Sequence, residues 1–441
     1  MEPTVIIHGW SDTSKSFREL AEIISQHYKT PPIIIRLADW ISMHDDVSYN
    51  DISSAMQRAW QAYNLPITPY SVNIVVHSTG ALITRDWMTT YYKPESVPIK
   101  RLVMLAPANF GSPLAHKGNS FIGRAIKGWN QPNFQTGNKI LKGLELGSPY
   151  TFQLANRDLF DKSNRWFGKD RILCTILVGN TGYSGVSSIA NEDGSDGTVR
   201  ISTANLNAAK LTLELDEQQN VITSELERVN GSIAFAIVDD KNHSTIVPQK
   251  NSNAELKNLV IEALSVGDNT FSNTGTEFQW QTKLDGITSA STKSNICFQN
   301  TVTYLHDNSG EDVQDYFVEF YRRASSDKRF ERQLYERFIE SVHPYKYNSA
   351  FRSIYLNMDE FEKIKSEFSV NNLYVSLTAN PLYTPPKLPV GYSTVASNAT
   401  GGLQISQENL GAFFKPHRTL LVDIKINRIV NDQVFKLSSF V

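Results

Sequence analysis

The spacing of apolar positions changes along the chain, and the changes divide it. Through roughly the first 266 residues, short continuous apolar runs alternate with stretches of three-to-four spacing. The runs fall at residues 4–8, 33–37, 71–77, 100–106, 171–179 and 233–238. Runs of that length, mostly apolar and rich in β-branched residues, mark strands buried on both faces. Between them, residues 16–28 set Phe17, Leu20, Ile23 and Ile24 on one helical face. A second helix carries Ile52, Ala55, Met56, Ala59 and Trp60, with Asn50 or Asp51 as its expected cap. Residues 79–92 and 254–266 read as further helices. Strictly alternating strands and helices predict a doubly wound, mostly parallel sheet with right-handed crossovers and helices on both faces.

The rhythm fails between about residues 110 and 167. That stretch is rich in Gly, Asn and aromatics, with helical pieces near 121–129 and 140–146, and reads as a lid-like insertion. Residues 210–215 and 221–226 alternate around a polar stretch and read as a hairpin of the same domain. A Gly/Asn/Ser/Thr segment at 267–276 then marks a boundary, giving domains 1–266 and 267–441. Beyond it the period becomes two, as at 301–305, 316–321, 373–377 and 420–426. Helical stretches at 330–342 and 358–368 interrupt that pattern. The second domain is therefore expected to be mainly β, an antiparallel sandwich with helical insertions. No internal repeat is found.

Composition changes this picture little. A length of 441 residues suits two cores better than one. With 43 Lys+Arg against 45 Asp+Glu, the charge balance gives no footing to a nucleic-acid partner. Cys174 and Cys297 fall in different predicted domains, which points to free thiols rather than a disulfide or a metal site, and no cofactor motif is present. No run approaches the roughly 18 apolar residues of a membrane span. The chain passes from Met1-Glu2-Pro3 straight into a strand, with no basic start or cleavage site. The expectation is a cytoplasmic protein, or one exported by a route that reads no amino-terminal signal.

The chemistry centres on Ser78. The run at 71–77 stops at this serine, and Gly80 opens a helix. So tight a bend sets the hydroxyl at the carboxyl edge of the sheet, where open α/β folds place ligands. An alcohol needs a base to take its proton, and the base needs an acid to fix its tautomer. His243 follows the last strand of the domain, at the same edge. Asp196 lies in the turn after the preceding strand, with Asp193 in reserve. The N–H groups of Thr79 and Trp10 are the expected oxyanion donors. His8 and His77 are read as packing and hydrogen-bonding residues, and His116 as the rival base nearest the site. The bland readings are a helix-capping Ser78, a solvated His243 and a turn-forming Asp196. Glu192, Asp193 and Asp196 offer hard oxygens to calcium, at a spacing that matches no calcium loop.

The order Ser78…Asp196…His243, with His8-Gly9 upstream, resembles the α/β-hydrolase superfamily, and within it the compact bacterial lipases and esterases. The segment from Ala106 to Ala115 is similar to the stretch those enzymes carry after the strand beyond the nucleophile. The resemblance covers about residues 1–266. It implies acyl transfer through Ser78, His243 and Asp196, on a shortened sheet of about six strands. One position departs: Val76 stands where the Gly-x-Ser-x-Gly elbow has its first glycine.

The activity so implied is cleavage of carboxylic esters by a lipase, phospholipase or esterase. The insertion would cover the site, with Phe110, Phe121, Ile122 and Trp129 as an acyl-chain wall. Amide or peptide hydrolysis on the same fold is one alternative; a catalytically silent binding protein is another. The expected partner is an ester or lipid. The second domain would dock membrane surfaces or a protein, or else only brace the first.

Overall fold

A computed structural model describes residues 2–8, 15–42, 44–115, 137–185, 188, 191–216, 221–271, 278–291, 296–322, 328–383, 390–392 and 403–431. It separates into two compact units: residues 1–208 with 228–296, and residues 209–227 with 297–441.

In the first unit the strands are β1 (Thr4–His8), β2 (Ile33–Arg36), β3 (Val72–His77), β4 (Ile99–Leu105) and β5 (Leu173–Gly179). The chain then departs as β6 (Ala209–Leu215) and β7 (Val221–Arg228), and returns as β8 (Ala234–Val238). The sheet runs β2-β1-β3-β4-β5-β8, and every neighbouring pair is parallel. Its middle is sealed: Val5, Ile6, Ile7, Ile74, Val75, Val76, Val103 and Met104 have no solvent exposure. Burying each such side chain contributes about 1.5–3 kcal/mol for the larger aliphatics.

Helix α1 (Lys15–Tyr28) and helix α2 (Tyr49–Ala62) form where the apolar faces predict them. The cap of α2 is Ser48 rather than Asn50 or Asp51. Ser48 Oγ accepts from Asp51 N while Asp51 Oδ2 accepts from Ser48 N, so two otherwise orphan donors are satisfied reciprocally. Helix α3 (Gly80–Tyr91) follows the serine. The described end of the 110–167 insertion holds α4 (Asn138–Leu144) and α5 (Pro149–Asp158). Leu146, Leu154, Ala155 and Leu159 there are fully buried, so this portion belongs to the core and is no surface flap.

Two expectations about the boundary change. After α6 (Ala254–Ala263) the first unit continues into α7 (Gln279–Ser291), beyond the expected end at 266. The reason is the open edge of the sheet at β8. Gln281 Oε1 accepts from Phe235 N at 2.8 Å, its Nε2 donates to Phe235 O at 2.9 Å, and Thr288 Oγ1 accepts from Ile237 N at 3.0 Å. Side chains of α7 thus stand in for a missing strand partner. The β6–β7 segment belongs to the second unit, although its residues fall within the expected first domain.

The second unit adds β9 (Phe298–Asp307), β10 (Tyr316–Tyr321), β11 (Ile339–Pro344), β12 (Phe351–Asn357) and β13 (Asn372–Ala379). These are followed by β14 (Val390–Tyr392), β15 (Leu403–Ser406), β16 (Thr419–Ile426) and β17 (Arg428–Val430). One sheet runs β11-β12-β9-β16-β6-β7, a second β10-β13-β15, and β14 pairs with β17. The unit is mainly β with a helix α8 (Met358–Phe368), as expected, but its large sheet is mixed. β16 lies parallel to both β9 and β6, because those strands arrive from distant parts of the chain rather than through hairpins. The predicted helix at 330–342 ends at Phe338 and becomes β11, where alternation takes over.

Candidate active site

Ser78 sits between β3 and α3 with φ at 53°, in the left-handed region that a side chain adopts at a cost of about 1–3 kcal/mol. The surroundings hold it there. Its N–H donates to Leu105 O on β4 at 3.1 Å, and its carbonyl accepts from Ala81 N at 3.2 Å. Val76, at the departed elbow position, is fully buried in β3 between Ile7 and Met104, so the sheet accommodates its side chain. Thr79 stands at the N-cap position of α3 without a side-chain capping bond, and the amino-terminal end of that helix lies beside the serine.

The loop after β8 delivers His243. Asp240 turns it at φ 54°, and Asn180 ties it to the end of β5 by accepting from Asp240 N and donating to Asp239 Oδ1. Gly179 makes this approach possible. A Cβ there would lie 1.9 Å from Lys241 O, so no other residue fits without moving the loop. His243 Nε2 lies 3.0 Å from Ser78 Oγ, and its Nδ1 lies 2.9 Å from Asp196 Oδ2. A carboxylate can only accept, so the proton of the neutral ring belongs on Nδ1 and leaves Nε2 to receive the serine proton.

Asp196 is fully buried and satisfied on every side. Its Oδ1 accepts from Thr198 N at 2.9 Å and Val199 N at 2.8 Å, and its backbone carbonyl accepts from His243 N at 2.9 Å. Acid and base are therefore joined through both side chain and backbone. Gly197, at φ 90°, lets the turn close against Tyr183. Asp193, the reserve acid, is exposed. Glu192 receives Arg200 on both carboxylate oxygens, at 2.9 and 2.6 Å, and so fixes the turn from behind. Among the described residues no group of three or more His, Cys, Asp and Glu could hold a metal ion.

His77 binds from the other side. Its Nε2 donates to His243 O at 2.8 Å, and the two rings lie 4.6 Å apart. Ser78, Asp196, His243 and Thr79 are thus brought together, and all four are nearly or fully buried. Phe110 is in the core, at 1% exposure, with its N–H bonded to Thr203 O. Trp10, Phe121, Ile122, Trp129 and His116 lie outside the described residues.

A further support gave no signal in the sequence. Arg85, on α3 about two turns beyond the serine, is fully buried and forms a fork with Asp158 of α5, at 2.6 and 2.9 Å. Its remaining nitrogen donates to Asn109 O and Oδ1. Burial raises the pKa of Asp158, while Arg85 beside it pulls the other way. The pair clamps α3 to α5 and to the segment after β4. Cys174, on β5, is free and fully buried, and burial raises its pKa far above the range in which a thiolate forms.

No family model and no curated protein matches this chain. Among solved structures it is similar to phospholipase PlaB from Legionella pneumophila, with a TM-score of 0.82 at 22% identity, over 100% of this chain and 96% of that one. The same enzyme in complex with thio-NAD gives 0.81 at 22%, with the same coverage. The Bacillus licheniformis lipase BlEst2 in mature form gives 0.35 at 15% identity, over 60% of this chain and 90% of that one, a level that carries no argument. At such identities the likeness establishes architecture. The chain has the α/β-hydrolase fold, followed by a mainly β domain.

Proposed function

We propose that this protein is a serine hydrolase of carboxylic esters, with lipids or phospholipids as its substrate class. The observation that carries the reading is the unbroken series of bonds from Ser78 Oγ through His243 to Asp196, each near 3 Å. Ser78 Oγ attacks the ester carbonyl carbon as its proton passes to His243 Nε2. The imidazolium so formed is stabilised by the Asp196 carboxylate, which accepts from His243 Nδ1 through one oxygen and from the Thr198 and Val199 N–H groups through the other. The tetrahedral oxyanion is received by the N–H of Thr79, with Trp10 N–H as the second donor. His243 then gives its proton to the departing alcohol, leaving an acyl ester on Ser78. In the second half His243 takes a proton from water, hydroxide attacks the acyl carbon, and the acid leaves as Ser78 recovers its proton.

Choice of a lipid substrate is supported by the shared architecture with a protein described as a phospholipase. Turnover of p-nitrophenyl esters from butyrate to palmitate, of phosphatidylcholine micelles and of a matched p-nitroanilide tests both parts. Esters should turn over and the anilide should not. Ser78→Ala should lower ester turnover by at least ~10³-fold. Equal turnover by the folded Ser78→Ala variant contradicts the mechanism, and anilide cleavage at the ester rate contradicts the substrate class.

A further inference from the structure

His243 is held through its backbone as well as its side chain. Its N–H donates to Asp196 O at 2.9 Å, while Nδ1 faces Asp196 Oδ2 and Nε2 faces Ser78 Oγ. Its own carbonyl lies 2.8 Å from His77 Nε2. A carbonyl can only accept, so His77 carries a proton on Nε2. His77 ends β3 and is joined by its peptide bond to Ser78. Its ring lies 4.6 Å from that of His243, tilted by 48°, and 5.9 Å from the ring of Phe17 on α1. Both His77 and Phe17 are buried, so close packing as well as the hydrogen bond sets the place of the imidazole.

These bonds do not last equally through an acyl-transfer cycle. Before acylation the serine hydroxyl donates to His243 Nε2 and so keeps the base beside the nucleophile. Once the acyl ester has formed, Ser78 Oγ has no proton to give. Nε2 must then receive one from water as the water oxygen bonds to the acyl carbon. The bonds to Asp196 hold His243 to the acid turn. The bond from His77 ties it to the strand that carries the nucleophile, and that bond does not change with the acyl state. The donor is also of a suitable kind. An imidazole gives this hydrogen bond while neutral, whereas Lys or Arg would set a fixed positive charge beside His243 as it becomes imidazolium.

We propose that His77 is a positioning residue for the base, with its largest effect in the half of the cycle that releases the acid. The proposal rests on the hydrolase reading above. Full-length protein is assayed with p-nitrophenyl butyrate, in steady state and before it; kcat/KM reports acylation, and kcat reports deacylation where acyl-enzyme accumulates. His77→Phe keeps a ring and removes the donor, whereas His77→Gln keeps a neutral donor and removes the ring. In His77→Phe, kcat should fall by about 10²-fold and kcat/KM by less than about tenfold. A burst of about one p-nitrophenol per chain should precede its slow turnover. His77→Gln should recover at least ~tenfold in kcat over His77→Phe. Should His77→Phe fail to fold, His77→Leu takes its place in every arm. An unchanged kcat, a fall in kcat/KM as large as that in kcat, or equal losses in the Phe and Gln variants overturns the proposal. A second readout needs no turnover: the proton NMR signal of His243 Nδ1–H, identified by its loss in His243→Ala. It should move in His77→Phe and return toward its original position in His77→Gln. If the unaltered protein cleaves no ester, the hydrolase reading falls and this signal alone decides, an unmoved signal in His77→Phe contradicting the role of His77.

Discussion

At the carboxyl ends of β3 and β8 the first unit stops supplying apolar contacts and substitutes polar groups that bond to one another. Ser78, His243, Asp196, Thr198, Val199 and His77 bond in series, all buried. Inside the second unit the two sheets also stop supplying contacts, but nothing polar replaces them, and an apolar space of about 80 Å³ remains. The two outcomes have the same cause. Regular strands bury apolar faces, and where regularity ends the space must be either wired or left empty. Wiring fixes geometry, as chemistry at a single oxygen requires.

That contrast sets the expected sizes of effect. Removing the base, His243→Ala, should lower ester turnover by on the order of 10⁴–10⁶-fold, and Asp196→Asn by about 10⁴-fold, by presenting the wrong tautomer. Both should leave circular dichroism unchanged. A drop below tenfold in either would mean that the wiring is structural. Next in size is the clamp behind the site. Arg85→Met leaves the buried Asp158 carboxyl without its partner, and urea unfolding should show a loss of about 3–5 kcal/mol. Its counterpart in the second unit, Arg337 with Glu360 and Glu367, is far more exposed, so Arg337→Met should cost less than ~1 kcal/mol. Equal losses would erase the distinction between the units. Gly179→Ala pushes a Cβ into Lys241 O; a destabilisation of about 1–3 kcal/mol is expected. Ester turnover should fall with it, because the displaced loop carries His243.

The smallest effect separates the units by pH. His306 Nε2 lies 3.1 Å from Asp423 Oδ1, and that hydrogen bond holds the imidazole pKa above its ordinary value. The folded form then binds a proton more tightly than the unfolded one. Its contribution is fully present below the unfolded pKa and is lost as pH rises through the folded value. The second unit should therefore lose a fraction of a kcal/mol from mildly acid to mildly alkaline pH. In His306→Gln that slope should vanish from the melting profile, and a slope that survives assigns it to other groups.

How much of this was legible in the sequence differs by region for physical reasons. The sheet strands announce themselves because burial on both faces demands continuous apolar runs. Ser78, Asp196 and His243 could be chosen because the carboxyl ends of parallel strands share one edge, so chain order becomes spatial proximity. The destination of β6 and β7 was not legible. Alternation shows that a strand has one buried face and says nothing about which sheet covers it. The boundary moved for a similar reason, since Gln281 and Thr288 act on a strand edge that only the assembled sheet exposes. Arg85 and Asp158, 73 residues apart, look in sequence like ordinary surface charges on helices. Ser48 in place of Asn50 as the α2 cap is a shift of two residues, which reciprocal bonding to Asp51 decides.

The account turns on Ser78 as an activated nucleophile, and one measurement addresses it directly. Full-length protein is treated with a fluorophosphonate probe, and the adduct is located by peptide mass mapping. A single adduct on Ser78 is predicted, absent in Ser78→Ala and formed far more slowly in Asp196→Asn. No adduct on folded protein, or an adduct at another residue that persists in Ser78→Ala, would contradict it.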